Sequence, residues 1–155
     1  MNSINNNKIL TEKLFKVKKF DELTARELYE IVRARTEVFL LEQRIICQDF
    51  DRVDYSSLHC FIEQGGEVVA YLRAYTEDDG MIHVGRVLTT THGIGLGREL
   101  MELSFPEMRR HFGNAPLSLH AQTQAEGFYL KLGFVTVSGV FMEEGIPHVT
   151  MILSH

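Results

Sequence analysis

Residues 92–97 read His92-Gly93-Ile94-Gly95-Leu96-Gly97, with three glycines at alternate positions between an apolar stretch and a helical pattern. That spacing lets successive backbone N–H groups converge on one small volume at the positive end of a helix dipole, which is how a chain holds a pyrophosphate. A β-carbon there would keep a phosphate off the amides or forbid the turn. No lysine is required. The formal charge is −5, from 16 Lys and Arg against 21 Asp and Glu. This balance argues against nucleic acid and against a polybasic membrane contact, since both rest on side-chain cations. An anion held by backbone amides is unaffected.

A P-loop would place Lys-Ser or Lys-Thr after the last glycine, but Gly97 is followed by Arg98-Glu99. A dinucleotide fingerprint needs Gly-x-Gly-x-x-Gly after the first strand and an acidic residue about 20 positions on, and neither is present here. A glycine-rich turn with no ligand is the plain alternative, and the glycines alone leave it open. Cys47 and Cys60 belong to no CxxC and read as packing thiols. The histidines at 59, 83, 92, 111, 120, 148 and 155 form no HExxH or HxH, so no metal site is expected.

The elements that position this loop follow from periodicity. Residues 1–11 are polar and Asn-rich, a short flexible tail by composition that lacks the apolar core of a signal peptide. No apolar run approaches the roughly 18 residues of a membrane span, so a soluble, cytoplasmic protein is expected. Residues 12–155 are expected to form one domain. Residues 12–17 alternate as a strand. Thr24 and Glu27 make a capping box ahead of Leu28, Ile31, Val32, Arg35, Val38 and Phe39, which predicts a helix to about residue 41. Residues 44–57, with Asp49, Asp51 and Asp54, read as a long loop.

Residues 58–63 and 68–75 flank Gly65-Gly66 as a hairpin, and a turn at 78–80 leads into a strand over 81–88. The run over 68–75 is apolar at nearly every position, which predicts a strand covered on both faces. A helix follows from the glycine loop to about residue 112, with a kink or break expected at Pro106. A strand over 117–120, a short helix over 124–132 stopped by Gly133, and strands near 134–141 and 148–153 complete the order. The class is mixed α/β, with a mostly antiparallel central sheet and helices on both faces.

The glycine loop and its surroundings resemble the GNAT N-acetyltransferase superfamily, whose acyl-CoA signature is Gln/Arg-x-x-Gly-x-Gly/Ala between strand and helix. Gly95 and Gly97 fit it, and His92 stands where Gln or Arg is usual. Ala121-Gln122, Phe128-Tyr129 and Leu132-Gly133-Phe134 resemble the pattern of its later helix. With Arg35, Val38-Phe39, Glu42-Gln43, Gln48-Asp49, Asp51, His59, Gly85-Arg86-Val87 and residues 144–148, the likeness narrows to the ElaA-like branch and covers nearly the whole chain after Phe20. Two positions depart from that branch: Cys47 stands where Tyr is common, and Gly95 restores the general superfamily glycine.

The resemblance implies acetyl-CoA as cosubstrate, no metal, and direct acetyl transfer to a primary amine of a small molecule or peptide. It implies that Val87, Leu88 and Thr89 run beside pantetheine, and that the amides of His92, Gly93, Ile94, Gly95, Leu96, Gly97 and Arg98 wrap the pyrophosphate. Tyr129 is implied as the acid that protonates the leaving thiolate, against the plainer role of an aromatic packed under the sheet. For the base, Glu42, His148 and His59 stay open, as do a solvated helix-end charge for Glu42 and simple hydrogen bonding for the histidines. Arg35, at an otherwise apolar helix position, is expected to pair Asp49 or Asp51 and pin the loop. The Asp cluster could equally draw in a cationic amine. Relatives often form homodimers, and the oligomeric state stays open. Two rivals remain: a catalytically silent acyl-CoA sensor, and an ATP-binding protein.

Overall fold

The capping box forms as expected in the computed structural model, which describes residues 12–154; the tail expected over 1–11 lies outside the described residues. Thr24 Oγ1 accepts from the Glu27 amide at 3.1 Å, and Glu27 Oε1 accepts from the Thr24 amide at 2.9 Å. Helix α1 (Ala25–Arg35) then continues as a π-helical segment, Thr36–Glu42, so the predicted helix has the expected reach but widens over its last part. Ile31, Ala34 and Val38 are buried along it, as the periodicity requires.

Among the described residues eight strands form one sheet: β1 (Lys13–Lys19), β2 (Leu58–Gln64), β3 (Glu67–Thr76), β4 (Ile82–Thr89), β5 (Leu117–Gln122), β6 (Val135–Thr136), β7 (Phe141–Glu143) and β8 (Ile146–Leu153). The order is β1-β2-β3-β4-β5-β8-β6, with β7 also on β8, and only β4–β5 is parallel. Gly65 and Gly66 carry the positive φ that the β2–β3 turn needs. β3 is buried on both faces. Phe61, Tyr71 and Leu88 pack with α1 on one side, while Cys60, Leu72 and Ala74 pack with Leu100, Met101 and Met108 of helix α2 (Leu96–Phe112) on the other.

Helix α2 runs unbroken through Pro106, so of the kink or break expected there the break does not occur. Pro106 and Glu102 both lie on the exposed face, so the carbonyl that loses its N–H partner is open to water, while Met101, Ser104 and Met108 anchor the buried face. Helix α3 (Glu126–Lys131) follows a 3-10 turn, Thr123–Ala125, and ends at Gly133 in a left-handed conformation, φ +99°. The strand expected over 134–141 is split into β6 and β7. Ser138 Oγ takes the Thr150 amide at 2.8 Å in place of a backbone carbonyl, and the ladder lapses there.

Candidate functional site

The parallel pair β4–β5 is joined only at Ile82↔Leu117 and His83↔Ser118. Beyond those residues the strands separate, and a cavity of about 330 Å³ opens between Gly85, Arg86 and Val87 on one side and Ala121 and Gln122 on the other. Tyr129 of α3 also lines it. The remaining walls come from the segment after the π-helical turn and from the β7–β8 hairpin, whose tip is Glu144-Gly145 with both φ angles positive.

The glycine loop leads from β4 into α2. Gly93 and Gly95 have φ of +78° and +79°, and no atom lies within 4 Å of where a β-carbon would stand on either. Backbone conformation and not crowding accounts for glycine there. Gly97 differs: a β-carbon would meet Phe128 Cζ at 3.3 Å, so this glycine lets α2 and α3 approach. Helix α2 has no side-chain N-cap, and its first internal bond runs from Glu99 N to Gly95 O at 3.1 Å. The amides of Leu96, Gly97 and Arg98 therefore have no intrahelical partner. An uncapped, open N-terminus with dipole and amides exposed is suited to a phosphate.

Val87 lines the cavity on the stretch of β4 that β5 has left, while Leu88 and Thr89 pair with Tyr71 and Ala70 of β3. Leu88 is buried in the α1-side core. His92 and Glu42 come together outside the cavity lining: Glu42 Oε1 accepts from His92 Nε2 at 2.6 Å, and both are exposed. His59 sits elsewhere, buried beneath the 50s loop, where its Nδ1 accepts from the Tyr71 hydroxyl at 2.7 Å and its Nε2 donates to the Asp54 carbonyl at 2.9 Å. Burial lowers its pKa and keeps it neutral.

Tyr129 and His148 both reach the cavity and are 7% exposed. Tyr129 packs edge-on against Phe128 and Phe134, and its hydroxyl makes no hydrogen bond among the described residues. Burial raises the Tyr129 pKa, so the hydroxyl stays protonated. Cys47 is exposed on the cavity wall, and burial pushes the Cys60 thiol up to about 12. Among the described residues, Glu77, Asp79 and His83 bring three ligand-type atoms within 4.8 Å at the β3–β4 turn, where His83 is already bonded to Asp79 at 2.7 Å.

Asp49, Arg73 and Arg86 on the cavity wall belong to a closed ring of six charges, whose other members, Arg35, Asp51 and Asp54, line a second cavity. Arg35 bonds Asp49 at 3.0 Å and Asp54 at 2.6 Å; Arg73 bonds Asp54 at 3.2 Å and Asp51 at 2.7 Å; Arg86 bonds Asp51 at 3.4 Å and Asp49 at 2.6 Å. The expected pinning of the loop by Arg35 is realised through Asp49, with Asp54 as second partner in place of Asp51. Arg73 was not singled out in the sequence, and Arg86 entered only through the family resemblance, with no partner assigned. Arg86 occupies an extra residue in β4, where the β3 register slips between Tyr71 and Arg73, and it has φ +54°. Such a bulge re-aims backbone and side chains. Its signal was Gly85-Arg86, a small residue beside a charge in an otherwise apolar strand.

Two carboxylates anchor this scaffold against acid. Arg73 hydrogen bonding holds Asp51 at about 2, against an ordinary 3.8. Burial would raise Glu27, but Lys18, the Thr24 amide and Lys16 outweigh it and hold it at about 2, against 4.5. Both folded-state values are depressed, so their contribution is complete above pH about 4.5 and is lost as pH falls toward 2. Urea unfolding from pH 6 to 2.5 should show falling stability below pH 4.5, with a shallower slope in Glu27→Gln. An unchanged slope would contradict the assignment.

The comparisons agree with this geometry. Residues 23–155 match the family model described as an acetyltransferase (GNAT) domain. Protein ElaA of Escherichia coli strain K12 is 33% identical over 136 residues, 84% of this chain and 89% of ElaA. Its crystal structure superposes with TM-score 0.85 at 30% identity, covering 91% of this chain and 99% of that one. An acyl-CoA N-acyltransferase from Pseudomonas aeruginosa gives TM-score 0.85 at 33% identity, with the same coverage. No described helix is long and apolar enough to cross a membrane. The strand splay, the open glycine turn and these matches establish that the chain belongs to the GNAT acetyltransferase family, among proteins similar to ElaA.

Proposed function

We propose that this chain is an acetyl-CoA-dependent N-acetyltransferase, acting in the cytoplasm as one domain over residues 12–155 on a primary amine of a small molecule or peptide. The observation that carries the proposal is that β4 runs from the cavity at the β4–β5 splay, where Val87 lines it, into the open glycine turn, with the hydroxyl of the buried Tyr129 unpartnered among the described residues at the cavity wall. The donor supplies an activated thioester. The residues present fit it: the amides of 92–98 would hold its pyrophosphate, and the free edge of β4 at Val87 would hold its arm, with Leu88 and Thr89 continuing that strand. Tyr129 holds a proton for the departing sulfur.

The test is a thiol-release assay with acetyl-CoA and a panel of amines, run beside thermal melts. At 100 times Kd, a ligand adds about 2.7 kcal/mol, a rise of about 5–10 °C for a chain of this size. Acetyl-CoA should give that rise, ATP should not, and at least one amine should drive release. Binding without release for any amine would indicate a sensor, and a larger shift with ATP would indicate a nucleotide-binding protein.

Gly95→Ala separates loop function from loop structure. With φ at +79° and open space around it, the substitution meets no clash and costs only left-handed strain, about 1–2 kcal/mol. If the amides of this turn hold the donor, acetyl-CoA affinity should fall about tenfold, equivalent to about 1.4 kcal/mol. Calorimetric titration of the folded variant checks this, and unchanged affinity would remove the loop from the binding site.

A further inference from the structure

The β7–β8 hairpin carries an arrangement that the acyl-transfer reading leaves unused. His148 Nδ1 lies 2.6 Å from the Ile146 carbonyl oxygen, which can only accept, so Nδ1 carries the proton. In the neutral ring Nε2 then carries a lone pair. The ring is 7% exposed, lines the cavity and stacks on Phe141. Glu143 Oε2 stands 3.6 Å from Nε2, too far for a direct hydrogen bond but close enough to stabilise a charged ring. The other oxygen of Glu143 accepts from His120 Nδ1 at 2.9 Å, and His120, about half exposed, packs edge-on against Phe141.

We propose that His148 is the general base of this enzyme and that Glu143, held by His120, is its positioning residue. The proposal rests on the acetyltransferase reading above. A protonated amine enters a pocket edge bearing Glu143 and Glu144 and gives one proton to His148 Nε2. The neutral nitrogen then forms the C–N bond to the acyl carbon of an acyl-CoA thioester, and the C–S bond breaks. The nitrogen loses its second proton as the C–S bond breaks, and that proton returns to Tyr129, which has delivered its own to sulfur. The imidazolium, paired with Glu143, releases its proton toward solvent on the His120 side. The titratable or charged groups that line the cavity with His148 are His120, Glu143, Glu144, Tyr129, Cys47, Arg73, Tyr75 and His83, together with Asp49 and Arg86, which are bonded to each other. Of the other candidates, Glu42 is tied to His92 outside the cavity lining, and His59 is buried away from it, bonded to Tyr71 and the Asp54 carbonyl.

The experiment compares wild type, His148→Gln and Glu143→Gln as full chains across pH 6–10, with acetyl-CoA and the best amine of the panel. His148→Gln should lose about 100-fold in kcat/KM at pH 7 and recover toward wild type near pH 10, where the free amine needs no base. Glu143→Gln should lower kcat about tenfold at pH 7 with KM for acetyl-CoA within about twofold, and should likewise recover near pH 10. An equal loss at every pH in His148→Gln, with acetyl-CoA binding retained, would overturn the proposal, as would an unchanged kcat in Glu143→Gln. Wild-type protein that binds no acetyl-CoA, or releases no thiol with any amine, would instead overturn the acetyltransferase reading itself.

Discussion

Arg35→Ala should lower the unfolding free energy by about 3–5 kcal/mol, the cost of removing one member of a buried ion pair. The guanidinium is 1% exposed and has three separate obligations: Asp49 Oδ2 at 3.0 Å, the Asp49 carbonyl at 2.8 Å and Asp54 Oδ1 at 2.6 Å. It also lies over the Phe50 ring at 4.6 Å. Alanine leaves these acceptors facing a cavity, and Arg73 and Arg86 can cover only part of the loss because each already holds Asp51. Arg35→Lys keeps the charge but not the fork, so it should fall between the two. Because the group is buried, the effect should persist at 1 M salt, unlike a surface bridge. Urea denaturation at both ionic strengths checks this, and a loss under 1 kcal/mol would show that the ring is screened by water.

That ring marks how far sequence reasoning reaches. Arg35 stood out because a charge occupied an apolar helical position, and a nearby Asp cluster offered partners. Nothing local shows that Arg73 and Arg86, from two neighbouring strands, close the ring with the same three carboxylates. That closure depends on the β3–β4 register and on a bulge that a one-residue slip in pairing creates. The capping box, the paired-glycine turn and the glycine loop are legible because each is a short-range device with its own geometry. The widening of the first helix into a π segment and the interruption between β6 and β7 are not; the second answers to a contact 12 positions away, from the Thr150 amide to Ser138. His120, Glu143 and His148 were visible as residues but not as a group. They meet only because β5 and β7 flank β8, pairings that cross 26 positions in one case and 7 in the other at His148 itself.

Tyr129→Phe should lower kcat by about 100-fold or more, within the range assigned to a positioned proton donor, while acetyl-CoA affinity stays within about twofold. The ring contacts survive the change, since Phe128 and Phe134 meet the aromatic face and edge at centroid distances of 5.0 and 5.7 Å and do not touch the hydroxyl chemistry. The fold loses nothing else, because the hydroxyl has no hydrogen-bond partner among the described residues. For a residue retained only for packing, the phenylalanine variant should be as stable as wild type and as active. For a proton donor, stability holds or rises while turnover collapses. The raised pKa fits the second role: a hydroxyl that stays protonated through neutral pH can give a proton to a thiolate and cannot serve as the base. Urea unfolding and steady-state kinetics on one preparation decide the matter, and wild-type turnover in a stable Tyr129→Phe protein would return the tyrosine to the core.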